Sequence, residues 1–495
     1  MFLLTNVFKD QEKILVYLYK KDSQELIEIH QEISINSIHF DSRKIQNQDY
    51  FVALEGSRDG HDFIVDAYRN GAVGFIVKSS KKEKIFNEIR NIQPEKDLYI
   101  ILTQDPLQFL QNAAKDQRKR FKGIVIGVLG SNGKTSTKDF LYQSLRIIEP
   151  NTYATTGNWN NHIGLPIVLL NMPSSTKILV LELGMNHPKE IDLLGSISQP
   201  NIALITSIGR EHMEFFNSIE DVAKAELEIL DHLNHQSTFY YPFNAPLKEY
   251  VMQKQKEIGF KSCFFQLNYK NDFINNFNNI FLGKLNQSQI DWNEYKINNT
   301  ELKHIGLYNN LFLTLLVLHN HFFPNIKKSQ LDEVLQNLST IKPLSKQRFE
   351  FYYIKNSIII DDSYNANPDS FISAIDSVVN LFGKNHSIAC FAGHMAELGN
   401  FSYSGHVEVG EYLAKNNIEL LAVCGNSDAK FYLEGYQKIK GKIDIPYFEN
   451  SEILAKKLNE LIVPIDRDSI FLIKGSRTAK MEIVTQKLKE VFENA

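Results

Sequence analysis

The chain is poor in cysteine, in tryptophan and in excess charge of either sign. Its 495 residues include three cysteines and two tryptophans. Cys263, Cys390 and Cys424 lie far apart and form no CxxC pair, which argues against a zinc ribbon or a disulfide framework and favours the reducing cytoplasm. The 54 basic and 58 acidic residues leave a net charge of −4. We therefore expect no broad basic surface for nucleic acid.

Long hydrophobic runs are also missing. No stretch approaches the roughly 20 apolar residues of a membrane span, so we expect no membrane insertion. The run LFLTLLVL from Leu311 predicts a buried helix instead. The segment MFLLTNVFKDQEK has no basic region of the kind that opens a signal peptide. With 43% hydrophobic residues the chain can form real cores, and its length predicts about three domains.

The order of strand-like and helix-like segments predicts an α/β protein. Residues 1–104 read as a small α/β module, residues 105–340 as a central domain, and residues 341–495 as a third, doubly wound domain. Apolar strands alternate with helices in the last two, which favours parallel sheets covered by helices. Within the central domain, residues 245–300 carry no motif and read as peripheral strands and loops.

A phosphate-binding loop is the first chemical motif. GVLGSNGKT, residues 127–135, follows an apolar strand and opens a helix. In such a loop, backbone N–H groups surround phosphate oxygens, the lysine reaches the β- and γ-phosphates and the hydroxyl after it binds Mg²⁺. The spacing departs from the usual pattern because Val128 stands where a glycine is expected. The nucleotide-contacting residues predicted from the loop are Gly130, Ser131, Asn132, Gly133, Lys134, Thr135 and Ser136.

Polar side chains follow other predicted strands of the parallel sheets. Glu182 ends the strand LVLELG, His212 follows the strand NIALITSIG, and Asp362 follows the strand SIIID. Ligands bind at the carboxyl ends of parallel strands, so Glu182 fits an Mg²⁺ ligand and Asp362 fits a ribose contact. Arg348 is a candidate for stabilising charge on a transferred phosphoryl group. A lone histidine is more often structural, but the strand-end position of His212 favours function.

These motifs, taken in order, resemble those of the Mur ligase family. The matching segments are GSNGKTS, TGNWNNHIGLP, LELGMNHPKEI, SIGREHMEFF, DDSYNANPDS, AELG and KGSR. DSYNANPDS and DGHDF favour the members that join D-alanyl-D-alanine to UDP-MurNAc-tripeptide. The resemblance implies a uridine-nucleotide module, a central ATPase domain and a Rossmann-like third domain. It also implies ATP and Mg²⁺, an acyl-phosphate intermediate, release of ADP and phosphate, and a monomer.

The resemblance also implies roles for individual residues. Catalytic roles fall on Lys134, His212, Glu226 and Arg348. Metal ligands are Thr135, Glu182, His212 and Glu226. ATP contacts beyond the loop are Asn309, Arg348 and Asp362. Contacts to the UDP-linked and peptide substrates are Ser42, Arg43, Asn158, Asn160, Asn161, Tyr364, Asn365, Asn367, Lys474 and Ser476.

Some positions depart from the family pattern. Glu226 occupies the place of a lysine that is normally carbamylated, and we expect its carboxylate to replace the carbamate. Lys224 is a rival two residues away. Tyr308 and Phe312 replace a histidine and an asparagine of a helix that contacts adenine, and His394 replaces an aspartate.

Three readings remain open at this point. The first is the D-alanyl-D-alanine ligase. The second is another amide ligase of the superfamily, of the MurE or folylpolyglutamate synthase type. The third is a catalytically silent nucleotide-binding paralogue, which the departures from the pattern favour and the retained Lys134, Thr135, Glu182 and His212 oppose.

Overall fold

A computed structural model describes residues 2–268, 280–383, 386–416, 418–462 and 469–494. The chain divides into two compact units. The first consists of Met1–Gly127, Asn151–Leu183 and Asp192–Asn201, and the second of Val128–Pro150, Gly184–Ile191 and Ile202–Ala495. The chain therefore passes between the units several times within its central third.

The N-terminal part of the first unit is a mixed sheet with helices. Its strands are β1 (Phe2–Leu4), β2 (Leu15–Lys20), β3 (Glu25–Glu28), β4 (Ile33–Ile35), β5 (Ile38–His39), β6 (Tyr50–Val52), β7 (Gly74–Lys78) and β8 (Leu98–Thr103). Its helices are α1 (Asn6–Gln11), α2 (Ile64–Arg69), α3 (Lys82–Ile92) and α4 (Pro106–Arg120). Six strands form one sheet in the order β3-β2-β8-β7-β6-β5, and β1 pairs with β4. From β8 to β5 the neighbours are parallel, and β2 is antiparallel to both β3 and β8.

Local sequence explains how this part is built. Phe51, Phe75 and Ile100 come from adjacent strands and are buried in one cluster with residues of α2 and α3. Helix α4 begins at a local cap, because the Asp105 carboxylate accepts the backbone N–H groups of Leu107 and Gln108.

The central third of the chain alternates strands and helices. These are β9 (Ile124–Leu129), α5 (Lys134–Ile148), β10 (Thr152–Ala154), α6 (Gly164–Asn171), β11 (Ile178–Glu182), α7 (Glu190–Ser198), β12 (Ile202–Ile205), α8 (Ile219–Glu226), β13 (Thr238–Pro242), α9 (Lys248–Ile258), β14 (Lys261–Asn268), β15 (Ile280–Asn286), β16 (Gln289–Trp292), β17 (Tyr295–Asn298), α10 (Ile305–His321) and α11 (Lys328–Thr340). The strand, turn and helix predicted for the phosphate loop are present as β9 and α5. The buried helix predicted from Leu311 is α10.

The strands of the central third pair with one another within each unit. In the first unit β10 and β11 are parallel. In the second unit β12, β13, β14 and β15 pair in parallel, and β15, β16 and β17 continue as an antiparallel meander. The prediction of only strands and loops for residues 245–300 was wrong, because α9 lies there. The sequence of α9 is too polar to show a helical apolar period, because Val251 alone is fully buried among its described side chains. Part of that stretch, residues 269–279, lies outside the described residues.

The doubly wound third domain is confirmed within the second unit. Its elements are β18 (Glu350–Ile354), β19 (Ser357–Asp362), α12 (Pro368–Phe382), β20 (Ile388–Gly393), α13 (Ser402–Lys415), β21 (Leu420–Cys424), α14 (Phe431–Lys440), β22 (Tyr447–Phe448), α15 (Ser451–Ile462), β23 (Ile470–Lys474) and α16 (Glu482–Asn494). The sheet order is β18-β19-β23-β20-β21-β22, parallel except for β18. Helices α12, α13 and α14 pack on one face and α15 and α16 on the other. The chain thus forms the expected α/β fold.

Among the described residues, no helix combines the length and the apolar character that crossing a membrane requires.

Candidate active site

The phosphate loop has the backbone conformation that its glycines allow. Gly130 has φ +109° and Gly133 has φ +93°, both in the left-handed region. A Cβ atom on Gly130 would lie 2.6 Å from the Thr206 hydroxyl, and one on Gly133 would lie 2.5 Å from the Asn310 side-chain oxygen. These close approaches let the turn fit between β12 and α10, and side chains at either glycine would disrupt it.

Residues after β12 hold the loop in place. The Thr206 hydroxyl donates to the Asn132 carbonyl (2.7 Å), and the Ser207 hydroxyl accepts the Asn132 N–H (2.9 Å). The Ser131 hydroxyl accepts the Gly209 N–H at 2.9 Å. Because these bonds fix the loop from one side, its shape is built in before α5 begins at Lys134.

Lys134 lies among acceptors of the loop and one carboxylate. Its Nζ donates to the carbonyl oxygens of Gly130 (2.5 Å) and Ser131 (3.1 Å) and to Oε2 of Glu211 (3.0 Å). Burial alone would raise the pKa of Glu211, but the positive charges of Lys134 and His212 keep that pKa below its usual value. Glu211 was not among the predicted site residues, although its position beside His212 in SIGREHMEFF was a usable signal.

His212 lies between two carboxylates. Its Nδ1 is 2.5 Å from Oε2 of Glu397, and its Nε2 is 3.5 Å from Oε1 of Glu211. Burial would lower the pKa of His212, yet the two carboxylates outweigh that effect and raise it to about 9. The residue also has φ +55°, a left-handed conformation that is uncommon for residues other than glycine. The strand-end position predicted for His212 therefore does bring it to the Lys134 site.

Glu226 points at the same loop. It is 1% exposed, and its Oε2 accepts the Gly130 N–H at 3.1 Å. Burial raises its pKa to about 7, against the attraction of Lys134. Lys224, the rival for its predicted role, is 64% exposed and pairs with Asp221 at 2.9 Å. The structure thus brings Glu226, and not Lys224, to the phosphate loop.

Arg348 reaches the loop from the residues before β18. Its Nη2 donates to the Thr135 hydroxyl at 3.0 Å, and its guanidinium lies 4.2 Å from the centre of the Tyr364 ring. The neighbours Gln347 and Phe349 have φ +61° and +57°. Left-handed backbone at two non-glycine residues costs energy, which the surrounding contacts must supply. The predicted site residues Arg348, Thr135 and Tyr364 are therefore assembled together.

Asp362 and Lys474 contact each other. Lys474 Nζ donates to Asp362 Oδ2 (2.5 Å) and to the Asn365 carbonyl (3.1 Å). The second carboxylate oxygen of Asp362 accepts the Phe349 N–H at 3.1 Å. Asp362 was predicted to contact ATP and Lys474 to contact the peptide substrates. The ion pair between them, in which the side chains are 15% and 2% exposed, was not predicted.

Two more predicted residues have structural partners, and a neighbour takes the place of a third. Asn367 caps α12, and its side-chain amide donates to Asn132 Oδ1 at 3.1 Å. Ser476 is 1% exposed and donates to the His394 carbonyl at 2.8 Å. In α10 it is Asn310, and not the predicted Asn309, that faces Gly133. These side chains join the loop to the helices and strands around it.

In the first unit, Glu182 has one satisfied oxygen and one buried oxygen without a partner. Asn160 donates to Oε1 at 2.9 Å, while Oε2 has no hydrogen-bond partner among the described residues. Asn161 accepts the N–H groups of Ile163 and Gly164 at the start of α6, and Asn158 is exposed. A buried carboxylate oxygen with no donor is suited to a hard cation.

Of the two predicted uridine contacts, Ser42 is partly buried and Arg43 is open to solvent. The Arg43 side chain is 86% exposed and pairs with Asp41 at 2.9 Å. Next to it, Lys44 lies over the ring of Trp159, which also contacts the ring of His39. Trp159 belongs to the TGNWNNHIGLP segment, so this tryptophan links that segment to the residues around Ser42. Its role was not foreseen from the sequence.

Comparison with known proteins decides the family. Residues 34–118, 128–316 and 347–477 match the family descriptions "Mur ligase family, catalytic domain", "Mur ligase middle domain" and "Mur ligase, glutamate ligase domain". The UDP-N-acetylmuramoyl-tripeptide–D-alanyl-D-alanine ligase of Bacillus subtilis is 30% identical over 470 residues, 93% of this chain and 94% of that protein. The chain belongs to the Mur ligase family.

Further Mur ligases share the sequence or the fold. The enzyme of the same name from Rickettsia prowazekii is 32% identical over 477 residues, covering 92% of this chain and 96% of that one. The MurF ligase of Thermotoga maritima, solved in complex with ADP, has a TM-score of 0.72 at 26% identity and covers 93% and 98% of the two chains. MurF of Acinetobacter baumannii has a TM-score of 0.77 at 23% identity over 99% of both chains, which supports the three-domain fold.

Proposed function

We propose that this chain is an ATP-dependent ligase that adds D-alanyl-D-alanine to UDP-N-acetylmuramoyl-tripeptide in peptidoglycan precursor synthesis. Relatives that carry this name match the chain over almost its whole length. The observation in the structure that best supports catalysis is the phosphate loop with Glu211 on Lys134 and Arg348 on Thr135. A silent paralogue would have no need to keep these groups together in one place.

The chemistry required is activation of a carboxylate. A carboxylate is a poor electrophile, and transfer of the γ-phosphoryl group from ATP to its oxygen gives an acyl phosphate with a good leaving group. The free amine of D-alanyl-D-alanine attacks the carbonyl carbon, the C–O bond to phosphate breaks, and an amide, ADP and phosphate result. Phosphoryl transfer depends on positioning and on stabilising negative charge.

Residues of the second unit can position the phosphates and stabilise their negative charge. The N–H groups of the loop and Lys134 bind phosphate oxygens, and a γ-phosphate competes with Glu211 for the Lys134 ammonium. Arg348 adds a fixed positive charge beside Thr135. The pair of Asp362 and Lys474 keeps the Phe349 backbone in place, so it supports Arg348 through the chain.

The residues also fit Mg²⁺. On the resemblance to the family, we propose that Thr135 and Glu182 bind one Mg²⁺, that His212 helps to bind a second, and that Glu226 binds Mg²⁺ in place of the carbamate. Oxygen atoms are the ligands that Mg²⁺ prefers, and the buried Oε2 of Glu182 has no partner among the described residues. When bound, the ion neutralises phosphate charge during the transfer.

Nucleotide binding, the domain bounds, the compartment and the oligomeric state are each proposed on separate grounds. ADP is bound by the Thermotoga maritima relative, which supports nucleotide binding here. We assign residues 1–104, 105–340 and 341–495 to the uridine-nucleotide, ATPase and Rossmann-like domains, and the order of the three family matches along the chain supports this division. A cytoplasmic monomer is proposed because UDP-linked precursors and ATP are cytoplasmic substrates and because the family implies a single chain.

Phosphate release tests the function. The chain is mixed with ATP, Mg²⁺ and UDP-MurNAc-tripeptide, with and without D-alanyl-D-alanine. Release is expected only when all are present. Glutamate, lysine or diaminopimelate as the added amine should not support it. Stimulation by one of those amino acids would point to another amide ligase, and ATP binding without release would point to a silent paralogue.

Glu226 is proposed to replace a carbamylated lysine. It already carries a carboxylate, and it lies at the Gly130 N–H. Activity should therefore not depend on added CO₂. Glu226→Gln keeps the shape and an acceptor oxygen but removes the charge, so we expect a fall in activity of roughly 10–100-fold and a higher Mg²⁺ requirement.

Lys224→Met is the matched control, since Lys224 lies on the same helix and is exposed. We expect its activity to stay within about twofold of the unsubstituted chain, because its partner is Asp221 and not the loop. If Glu226→Gln kept its activity and its Mg²⁺ dependence while Lys224→Met lost them, the assignment would pass to Lys224.

A further inference from the structure

A turn after β20 lies against the His212 segment. In this turn, residues 395–399, the Glu397 carbonyl accepts the Glu214 N–H at 2.9 Å. Gly399 has φ +49°, and a Cβ atom on it would lie 2.7 Å from the Glu214 Cα. The close approach of the two backbones therefore requires a glycine at this position.

The turn carries a carboxylate to the imidazole. Glu397 Oε2 lies 2.5 Å from His212 Nδ1, although the Glu397 side chain is 49% exposed. Glu397 also has φ +60°. A half-exposed carboxylate could remain in water at little cost, yet here the backbone adopts a left-handed conformation that places it on the ring. AELG is one of the segments that match the family, but the sequence predicts no role for its glutamate.

Buried residues of the third domain fix the backbone of this turn. His406 is buried, and its Nε2 accepts the Met395 N–H at 3.0 Å. Its Nδ1 therefore carries the proton and donates to the Ser402 carbonyl at 2.7 Å. Leu398 is 2% exposed in the core of the third domain. Glu397 thus projects from a fixed support and does not depend on a mobile side chain alone.

We propose that Glu397 is a positioning residue for His212. As the ion-pair partner of Nδ1, its carboxylate holds the ring orientation and leaves Nε2 directed to the Glu211 and Lys134 side of the site. The inference rests on the proposed ligase function, because it assigns Glu397 to the same reaction. It also makes the catalytic geometry of His212 depend on a residue carried by the third domain.

Ion pairs of a nearby arginine allow two roles of Glu397 to be told apart: positioning the imidazole and merely attaching the His212 segment to the third domain. Arg210, two residues before His212, forms ion pairs with Asp369 of α12 and with Glu408 of α13. These pairs also join the His212 segment to the third domain, but they do not touch the imidazole. Glu408→Gln is therefore a matched control that weakens an attachment without changing the Nδ1 partner.

The first test is steady-state kinetics on the full chain with Glu397→Ala, Glu397→Gln and Glu408→Gln. We expect Glu397→Ala to lower kcat by roughly 10–100-fold with the KM for ATP within about twofold. Glu397→Gln, which keeps an acceptor, should recover part of the loss. Equal kcat values for Glu397→Ala and Glu408→Gln would overturn the proposal.

The second test does not use activity. The full chain is labelled with ¹⁵N-histidine, and the His212 resonances are identified by their loss in His212→Asn. Without nucleotide or metal, Glu397→Ala should shift the Nδ1 resonance of His212, and Glu408→Gln should leave it in place. An unmoved Nδ1 resonance in Glu397→Ala overturns the proposal. A wild-type chain that releases no phosphate overturns the ligase function instead, and the resonance still reports the contact.

Discussion

The phosphate-loop region and the predicted uridine-contact segment differ in how far their charged side chains are exposed to solvent. At the loop, Lys134, Glu211 and His212 are largely buried and contact one another. At the uridine-contact segment, Arg43 is 86% exposed and its partner is Asp41, two residues away. Burial makes each charge at the loop depend on its neighbours, whereas an exposed pair is screened by water. Substitutions should therefore have large effects at the loop and small ones around Arg43.

The largest effect is expected for Lys134→Met. Removing the ammonium leaves phosphate charge without its main side-chain partner in the loop, so kcat should fall roughly a thousandfold. Phosphate release with both substrates measures it. The exposed Lys122→Met serves as the control and should stay within about twofold of the wild type. A Lys134→Met enzyme with more than about a tenth of the activity would contradict the assignment.

Glu226 should give the next largest effect, seen in stability. Its pKa is raised from 4.5 to about 7, so the folded chain keeps a proton that the unfolded chain releases between these pH values. Stability therefore falls as pH rises through this window. Each pKa unit corresponds to about 1.4 kcal/mol, which sets an upper limit of about 3 kcal/mol.

Glu226→Gln removes this penalty. In the absence of nucleotide and metal, we expect the urea concentration at the midpoint of unfolding to be higher for Glu226→Gln than for the wild type at pH 8. Near pH 4 the two midpoints should be equal. Glu220→Gln, an exposed position on the same helix, is the control and should follow the wild type throughout. A wild-type midpoint that does not fall relative to Glu226→Gln would show that Glu226 is not a buried, hard-to-ionise acid.

Arg348→Lys should have a moderate effect. Lysine keeps the positive charge but cannot both donate to Thr135 and stack on the Tyr364 ring as a planar guanidinium does. We expect kcat to fall about tenfold, equal to about 1.4 kcal/mol. Arg146→Lys is the control, because Arg146 also lies over a tyrosine ring, that of Tyr142, away from the loop. Equal effects of the two substitutions would mean that Arg348 has only a packing role.

The smallest effect is expected for Arg43→Ala. An exposed arginine that contributes to binding the UDP end should change KM for the UDP-linked substrate a few-fold, with kcat unchanged. Arg69→Ala provides the control, since Arg69 is 73% exposed and 3.9 Å from Asp66. If Arg43→Ala lowered kcat as strongly as Arg348→Lys, the contrast between the two regions would be wrong.

Local sequence determined the elements and the order of the motifs. Apolar runs of strand length and the glycine spacing of GSNGKT are local signals, and they predicted β9, α5 and the doubly wound third domain. The same information placed Lys134 and Thr135 in the phosphate loop and Glu182, His212 and Asp362 at or just after the ends of strands. It failed at α9, whose few buried side chains give almost no apolar period.

Only the tertiary structure decided which side chains become partners. Glu211 on Lys134, Glu397 on His212, Asn310 against Gly133 and Lys474 on Asp362 join residues that are mostly far apart in the sequence. A glutamate in AELG looks the same in the sequence whether it lies in water or on an imidazole. Its contact depends on where the third domain carries it, and burial and nearby charge, which set the pKa values here, exist only once the chain is folded.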